Sequence, residues 1–271
     1  MTFVPILIYH SVADRPIAPI APFAVAGEDF AAHLDLIIER GLTALTVTAY
    51  LSALRRGDHA LLGRAVLITF DDGFADVLEV AAPALAARGL PATLYVTTGF
   101  LRGGRRAPVA PVLAHAMLAW SDLPALTALD VELGAHSHSH PHLDTLGPTR
   151  ALHELQLSKD LLEEATGQEA ATFAYPHGYS SPALRRLVRR CGFRGACGVG
   201  ETFSGPRDDP WALSRLMLRD TTTRAQVAEW LDHRGAPPPR RREQPRTRAW
   251  RAYRRGRAVL TRRPGGDPGW T

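Results

Sequence analysis

Ala65-Val66-Leu67-Ile68-Thr69-Phe70-Asp71-Asp72-Gly73 is the stretch whose reading decides the fold. Its first six residues make a compact apolar run that suits a buried strand. The run ends in two adjacent carboxylates and a glycine. Side by side at a strand end, two carboxylates repel, so their presence needs a reason beyond stability. Taken alone, Asp-Gly is a common turn pair, and a solvated turn is the plain reading. The sharper reading divides the labour. Successive side chains at a strand end point different ways, so one carboxylate can bind a cation while the other stays free as a base.

Outward from this segment, strand and helix alternate. Upstream, Val4–Tyr9 is an apolar run whose Pro5 is tolerable at a strand beginning. Residues 11–27 are rich in Pro and Ala and read as a loop. Phe30, Leu34, Ile37 and Ile38 then recur at helical spacing, and Gly41 closes that helix. Downstream, Val77–Arg88 reads as a helix ended by Gly89, with Pro83 kinking it or marking its true start. Ala92–Thr97 is a strand, 99–112 a loop, Val131–Gly134 a short strand and Leu152–Ala165 a long helix. Thr172–Tyr175 is a strand, and Ser181 with Pro182 opens a helix running to Cys191. Phe193–Val199 and Leu213–Leu218 follow as strands, and Thr222–Asp232 as the last helix. This order predicts an α/β fold with parallel strands and helical crossovers.

Composition bounds the rest. The chain has 271 residues, 45% hydrophobic and 22% charged, ordinary for a globular protein and unlike a disordered one. One domain can bury a sizeable core at this length. Cys191 and Cys197 are too few for a disulfide scaffold and read as reduced thiols. No apolar run reaches the roughly 18 residues of a membrane-spanning helix. Met1–His10 lacks a basic start and a small-residue cleavage site, so it reads as a first strand rather than a secretory signal. The expected location is cytoplasmic, at the inner membrane face if the tail meets lipid.

The net charge of +5 is unevenly placed. Residues 234–271 hold twelve Arg against Glu243 and Asp267, a charge of +10, which leaves −5 for the body. The domain is therefore expected over 1–233, with 234–271 an Arg/Pro-rich tail, partly disordered or an amphipathic helix. Trp250, Tyr253, Val259 and Leu260 interrupt its arginines, which suits a helix lying on an anionic membrane. Charge alone could also hold nucleic acid, but no specific nucleic-acid signal is present. The only Lys is Lys159; so complete a preference for Arg fits a GC-rich genome better than a binding demand.

Two further segments lie at predicted strand ends, the edge where parallel α/β folds build sites. His136-Ser137-His138-Ser139-His140-Pro141-His142 packs four of the eleven histidines into seven residues, a density that suggests a metal. His136 and His140 would share one face of a helical turn, whereas His136 and His138 would share one face of a strand. Neutral imidazoles with one carboxylate make a catalytic zinc set that leaves a position for water. Phe173-Ala174-Tyr175-Pro176-His177-Gly178 is by itself a plain Pro/Gly turn. Finally, Ile6-Leu7-Ile8-Tyr9-His10 ends a buried strand in a histidine that would face the same mouth.

Together, in this order, these segments resemble the polysaccharide deacetylases, carbohydrate esterase family 4, also called the NodB-homology domain. The resemblance covers roughly residues 3–220 and excludes the tail. The opening strand into Tyr9-His10 is similar to the poly-N-acetylglucosamine deacetylase branch. The resemblance implies a distorted (β/α) barrel and hydrolysis of an N-acetyl group from an amino sugar or polysaccharide, releasing acetate. It implies a divalent metal, zinc first and Co2+, Ni2+ or Mn2+ as alternatives, on Asp72, His136 and His140. Asp71 matches the general base, and His177 the residue whose backbone N–H helps hold the oxyanion. The chain departs from the family pattern in two places. Ala174 stands where many members carry an Arg beside the base, and Arg215 on the late strand is expected to orient Asp71 instead. The late Leu-x-His motif that supplies the general acid is missing, and His10 is expected to take that role from the first strand, which neighbours the last in a closed barrel. A small cyclic or linear amide as substrate, or a glycan-binding domain without activity, are the alternative readings; the retained Asp71 argues against the latter, because binding alone needs no base.

Overall fold

The computed structural model describes residues 3–104, 116–238, 249–250, 252–254 and 256–257. Among the described residues, ten strands run in chain order: β1 (Ile6–Tyr9), β2 (Ser11–Val12), β3 (Ala24–Val25), β4 (Thr43–Ala44), β5 (Ala65–Phe70), β6 (Ala92–Val96), β7 (Val131–Ala135), β8 (Thr172–Ala174), β9 (Gly195–Cys197) and β10 (Leu216–Met217). Among the described residues up to 238, eight α-helices separate or follow them: α1 (Gly27–Glu39), α2 (Val47–Arg56), α3 (His59–Leu62), α4 (Ala82–Ala86), α5 (Leu123–Ala128), α6 (Pro148–Thr166), α7 (Pro182–Arg190) and α8 (Arg224–Leu231).

The main sheet runs β10-β1-β5-β6-β7-β8-β9, with β4 beside β5. Every pairing in it is parallel. Parallel pairs need crossovers, and the helices that supply them bury the sheet's faces. That is why β5 is buried at all six positions. One short stretch brings the two edges together. Leu213 bridges to Cys197 of β9, and three residues later Leu216 pairs with Leu7 of β1. The sheet thus curls into a distorted (β/α) barrel, and Arg215 lies on the closing stretch with no exposed surface.

Local chemistry explains the helices. Thr46 caps α2 by accepting from the Ala49 N–H, and Ser181 caps α7 by accepting from the Leu184 N–H. The helix expected over Val77–Arg88 is two pieces. Val77–Ala81 is a π-type turn and α4 begins at Ala82, because Pro83 has no N–H to continue the ladder and fits only a first turn. Residues 11–27, expected as loop, also hold the short parallel pair β2–β3. Helix α2 has no counterpart among the expected elements. None of the described helices is long and apolar enough to cross a membrane.

Candidate active site and metal centre

The register of the sheet builds the floor of the cleft. Tyr9 of β1 pairs with Phe70 of β5, and the Asp71 N–H donates to the Tyr9 carbonyl at 3.0 Å. His10 therefore leaves β1 beside Asp71. The neighbouring pairs β6–β7 and β7–β8 bring the ends of the histidine and Pro-His-Gly segments to the same edge. Asp71, Asp72, His10, His136, His140 and His177 line one cleft of about 710 Å3.

Asp71 and Asp72 are equally buried and oppositely served. Arg215 clamps Asp71 with two bonds, Nη1 to Oδ1 and Nη2 to Oδ2, each 2.7 Å. The same guanidinium donates to the Gly198 carbonyl at 3.0 Å and to Thr69 Oγ1 at 3.2 Å. This two-pronged geometry is the strong form of a carboxylate contact. Burial alone would push the Asp71 carboxyl up, but the charge and bonds of Arg215 outweigh it and hold it below its ordinary value. Asp71 is thus kept ionised.

Asp72 takes the opposite course. Its backbone adopts φ 74°, a left-handed conformation that is costly for a residue other than glycine. Neither of its buried carboxylate oxygens has a hydrogen-bond partner within the protein. Burial, and then the neighbouring Asp71 charge, raise its carboxyl well above the ordinary value. A buried carboxylate left this way is expensive unless a cation meets it.

The histidines supply the rest of such a site. Asp72, His136 and His140 each offer one ligand atom, all within 4.8 Å of one another. His136 Nε2 is 3.5 Å and His140 Nε2 3.3 Å from Asp72 Oδ1. His136 Nδ1 donates to the Ala174 carbonyl at 2.8 Å, which fixes the tautomer and leaves the Nε2 lone pair toward Asp72. Burial lowers both imidazoles, His140 well below the usual range, so both are neutral donors. The donor set fits a divalent cation.

His136 and His140 meet without a helical turn. Ser137 and His140 both take left-handed φ, 64° and 57°, and fold the loop back on itself. Glu154 of α6 secures the loop, accepting from the His138 and Ser139 N–H groups at 3.0 and 2.8 Å. His138 is turned elsewhere: its Nδ1 lies 2.9 Å from Thr98 Oγ1. Glu154 and Thr98 lie outside every segment the sequence singled out, since a supporting carboxylate on a helix carries no motif.

His10 and His177 flank this floor. His10 Nδ1 is buried without a hydrogen-bond partner, and burial lowers the ring to about 4 despite the attraction of Asp71. His177 sits in the Pro176–Gly178 turn at φ 58°. Gly178 has φ 73°, and a Cβ there would come 2.5 Å from Val199 Cβ, so no other residue fits the turn. The His177 ring packs 4.6 Å from that of His140 and stacks at 3.8 Å on that of His142.

A family model, polysaccharide deacetylase, matches residues 59–196. The "Putative polysaccharide deacetylase YxkH" of Bacillus subtilis (strain 168) is 24% identical over 212 residues, which are 78% of this chain and 66% of that protein. An uncharacterized 30.6 kDa protein of Geobacillus stearothermophilus is 27% identical over 137 residues, 48% of this chain and 44% of that one. The chain thus spans about two thirds or less of the length of these curated relatives. Among solved structures, Streptococcus pyogenes deacetylase PplD in complex with acetate superposes with a TM-score of 0.72 at 22% identity, covering 82% of this chain and 94% of that one. IcaB from Ammonifex degensii superposes at 0.69, also at 22% identity, covering 85% and 97%. These two likenesses establish the fold. Because the family match spans half of the chain and includes both the paired aspartates and the histidine loop, this protein belongs to the polysaccharide deacetylase family.

Proposed function

We propose that the protein is a metal-dependent N-deacetylase that hydrolyses the acetamide of an amino sugar or polysaccharide and releases acetate. The observation that carries this reading is the contrast at one strand end: Asp71 clamped and ionised by Arg215, Asp72 unpartnered beside two neutral imidazoles. Family membership supplies the reaction class.

Asp72, His136 and His140 would hold the cation, with zinc suited to two nitrogen donors and one oxygen. Such a cation polarises a carbonyl and acidifies water beside it. Asp71 accepts the proton of the attacking water, and Arg215 keeps that carboxylate ionised and aimed. The His177 backbone N–H is assigned to the developing oxyanion, a contribution worth roughly 3–4 kcal/mol per donor. His10 is assigned the proton delivery to the departing amine. Since burial keeps its ring neutral at rest, His10 must first receive the proton that Asp71 takes from water. The amine then leaves protonated and the amide C–N bond breaks.

The test is acetate release, followed by mass spectrometry, from a panel of N-acetylated sugars incubated with metal-loaded protein. Loss of one acetyl group from at least one sugar, abolished by a chelator and restored by zinc, is the expected result. Unchanged masses across the panel, with metal bound, would leave a glycan-binding role. The Arg-rich tail is further proposed to meet an anionic membrane. Binding to anionic vesicles should then be strong at low ionic strength and fall with salt, each basic group near the surface contributing about 1 kcal/mol.

A further inference from the structure

Two loops of the cleft meet at one arginine from the C-terminal segment. The histidine loop after β7 carries His140 and, just beyond it, His142 and Asp144. The Pro176–Gly178 turn after β8 carries His177, with Tyr179 next to it. Arg254 touches both. On the histidine loop it gives Nη1 to Asp144 Oδ1 at 3.1 Å and Nη2 to Oδ2 at 2.9 Å, and Nη1 also donates to His142 Nδ1 at 3.2 Å. Beside the turn, its guanidinium lies over the Tyr179 ring, 3.8 Å from the centre. The Asp144 side chain has no exposed surface and that of Arg254 only 10%. A two-pronged, desolvated contact of this kind fixes geometry in a way exposed pairs do not.

Between these contacts sits a stack of imidazoles. The His142 and His177 rings are 3.8 Å apart and inclined by 27°, and His177 packs in turn 4.6 Å from His140. A guanidinium can only donate, so His142 Nδ1 is the acceptor and its ring is held neutral in one tautomer. His177 needs a firm neighbour. Its φ of 58° is a left-handed conformation that persists outside glycine only where the surroundings over-determine it. The Gly178 N–H donates to the Tyr175 carbonyl at 2.8 Å and closes the turn from one side. The stack on His142 supports it from the other. The gap between the two loops is the one the reaction uses. His140 belongs to the cation site and the His177 N–H is assigned to the oxyanion, so an oxygen served by both needs their separation held closely.

We infer that Arg254 is a positioning residue that clasps the histidine loop to the Pro-His-Gly turn and sets the spacing between the cation site and the oxyanion N–H. The active site then extends beyond residue 233, where the sequence places the end of the domain. The catalytic consequence rests on the deacetylase reading, the geometry on the contacts of Arg254 alone.

The test compares the zinc-loaded full chain with Arg254→Ala and Arg254→Lys. Geometry is read from the histidine ring signals in NMR spectra, the His177 signal being the one missing from His177→Gln. Stacking on His142 shields the His177 ring protons, so their signals should move downfield in Arg254→Ala. Turnover is read by acetate release from the N-acetylated sugar that the full chain hydrolyses best. In Arg254→Ala, kcat should fall about 10- to 100-fold, the scale of a misplaced group near the chemistry. KM should change by less than about threefold, with metal content unchanged. Arg254→Lys keeps the charge and loses both the fork and the contact with the Tyr179 face. It should fall between the two, and it keeps the comparison if the alanine variant does not fold. Unmoved His177 signals, or an unchanged kcat, would overturn the clasp. So would loss of metal, which would make Arg254 a support for the ligand loop alone. A rise in KM with kcat unchanged would also overturn it and leave the segment, with Trp250 and Tyr253 at the cleft, as a binding wall. Ring signals that move as expected, in a chain that releases acetate from no sugar, would instead overturn the deacetylase reading and leave the clasp standing.

Discussion

The two sides of the cleft floor differ more than their sequence suggests. On the arginine side, Asp71 meets a guanidinium at 2.7 Å through both oxygens. On the histidine side, its neighbour Asp72 has two buried oxygens and no hydrogen-bonding partner. Burial is the same, and so is the strand end. The difference comes from which strand each side chain faces. The closing stretch brings Arg215 to Asp71, while the left-handed φ of Asp72 turns it to the loop after β7. A carboxylate with a fixed charge partner is suited to accept a proton and give it up again. A carboxylate without one is suited to a cation.

The sharpest way to break this contrast is on the histidine side. His140→Ala should lose both the metal and all detectable deacetylation, as read by elemental analysis and acetate release. Full metal occupancy in that variant would remove Asp72, His136 and His140 as the ligand set. If His138→Ala lost the metal instead, the ligand would be the residue now turned toward Thr98.

On the arginine side, Arg215→Ala strands a buried carboxylate, which costs about 3–5 kcal/mol. Arg215→Lys keeps the charge and loses the two-pronged geometry, so it should be destabilised less. The pair also sets a pH dependence. Asp71 is held below its ordinary value, so its stabilisation is complete above about pH 4 and fades as the pH falls through the folded value. The stability gap between wild type and Arg215→Ala should therefore close in acid. A gap constant from pH 7 down to pH 3, in denaturant melts, would mean that the ionised Asp71 carboxylate is not its source.

His10 sharpens the comparison from outside the pair. His10→Ala should keep the metal and slow N-deacetylation by about 10²-fold, within the range of a general acid. An activated acetyl ester should suffer less, since its leaving group needs little protonation. Equal losses on amide and ester would make His10 a structural residue.

How much of this is legible in the sequence follows from where the information lies. β5 and its Asp-Asp-Gly end are local, and the apolar run with its abrupt stop gives both the strand and the carboxylates. The order of elements gives the barrel. The pairing of Arg215 with Asp71 depends on barrel closure between residues 144 apart, which no spacing encodes; only the missing arginine at Ala174 hints at it. The histidine loop carries its ligands in plain view, yet not their geometry, because two residues in left-handed φ replace a helical turn. Arg254 is invisible among twelve arginines of the tail, since its meaning lies in Asp144 and Tyr179.

The most direct measurement sets Asp71→Asn and Asp72→Asn side by side, reading metal content and acetate release on the same preparations. Asn is nearly isosteric with Asp, so packing is held constant. Asp71→Asn should bind metal like wild type and lose about 10²–10⁴-fold in turnover, whereas Asp72→Asn should lose the metal itself. Metal lost from Asp71→Asn and retained by Asp72→Asn, or turnover within a few-fold of wild type in Asp71→Asn, would contradict this assignment.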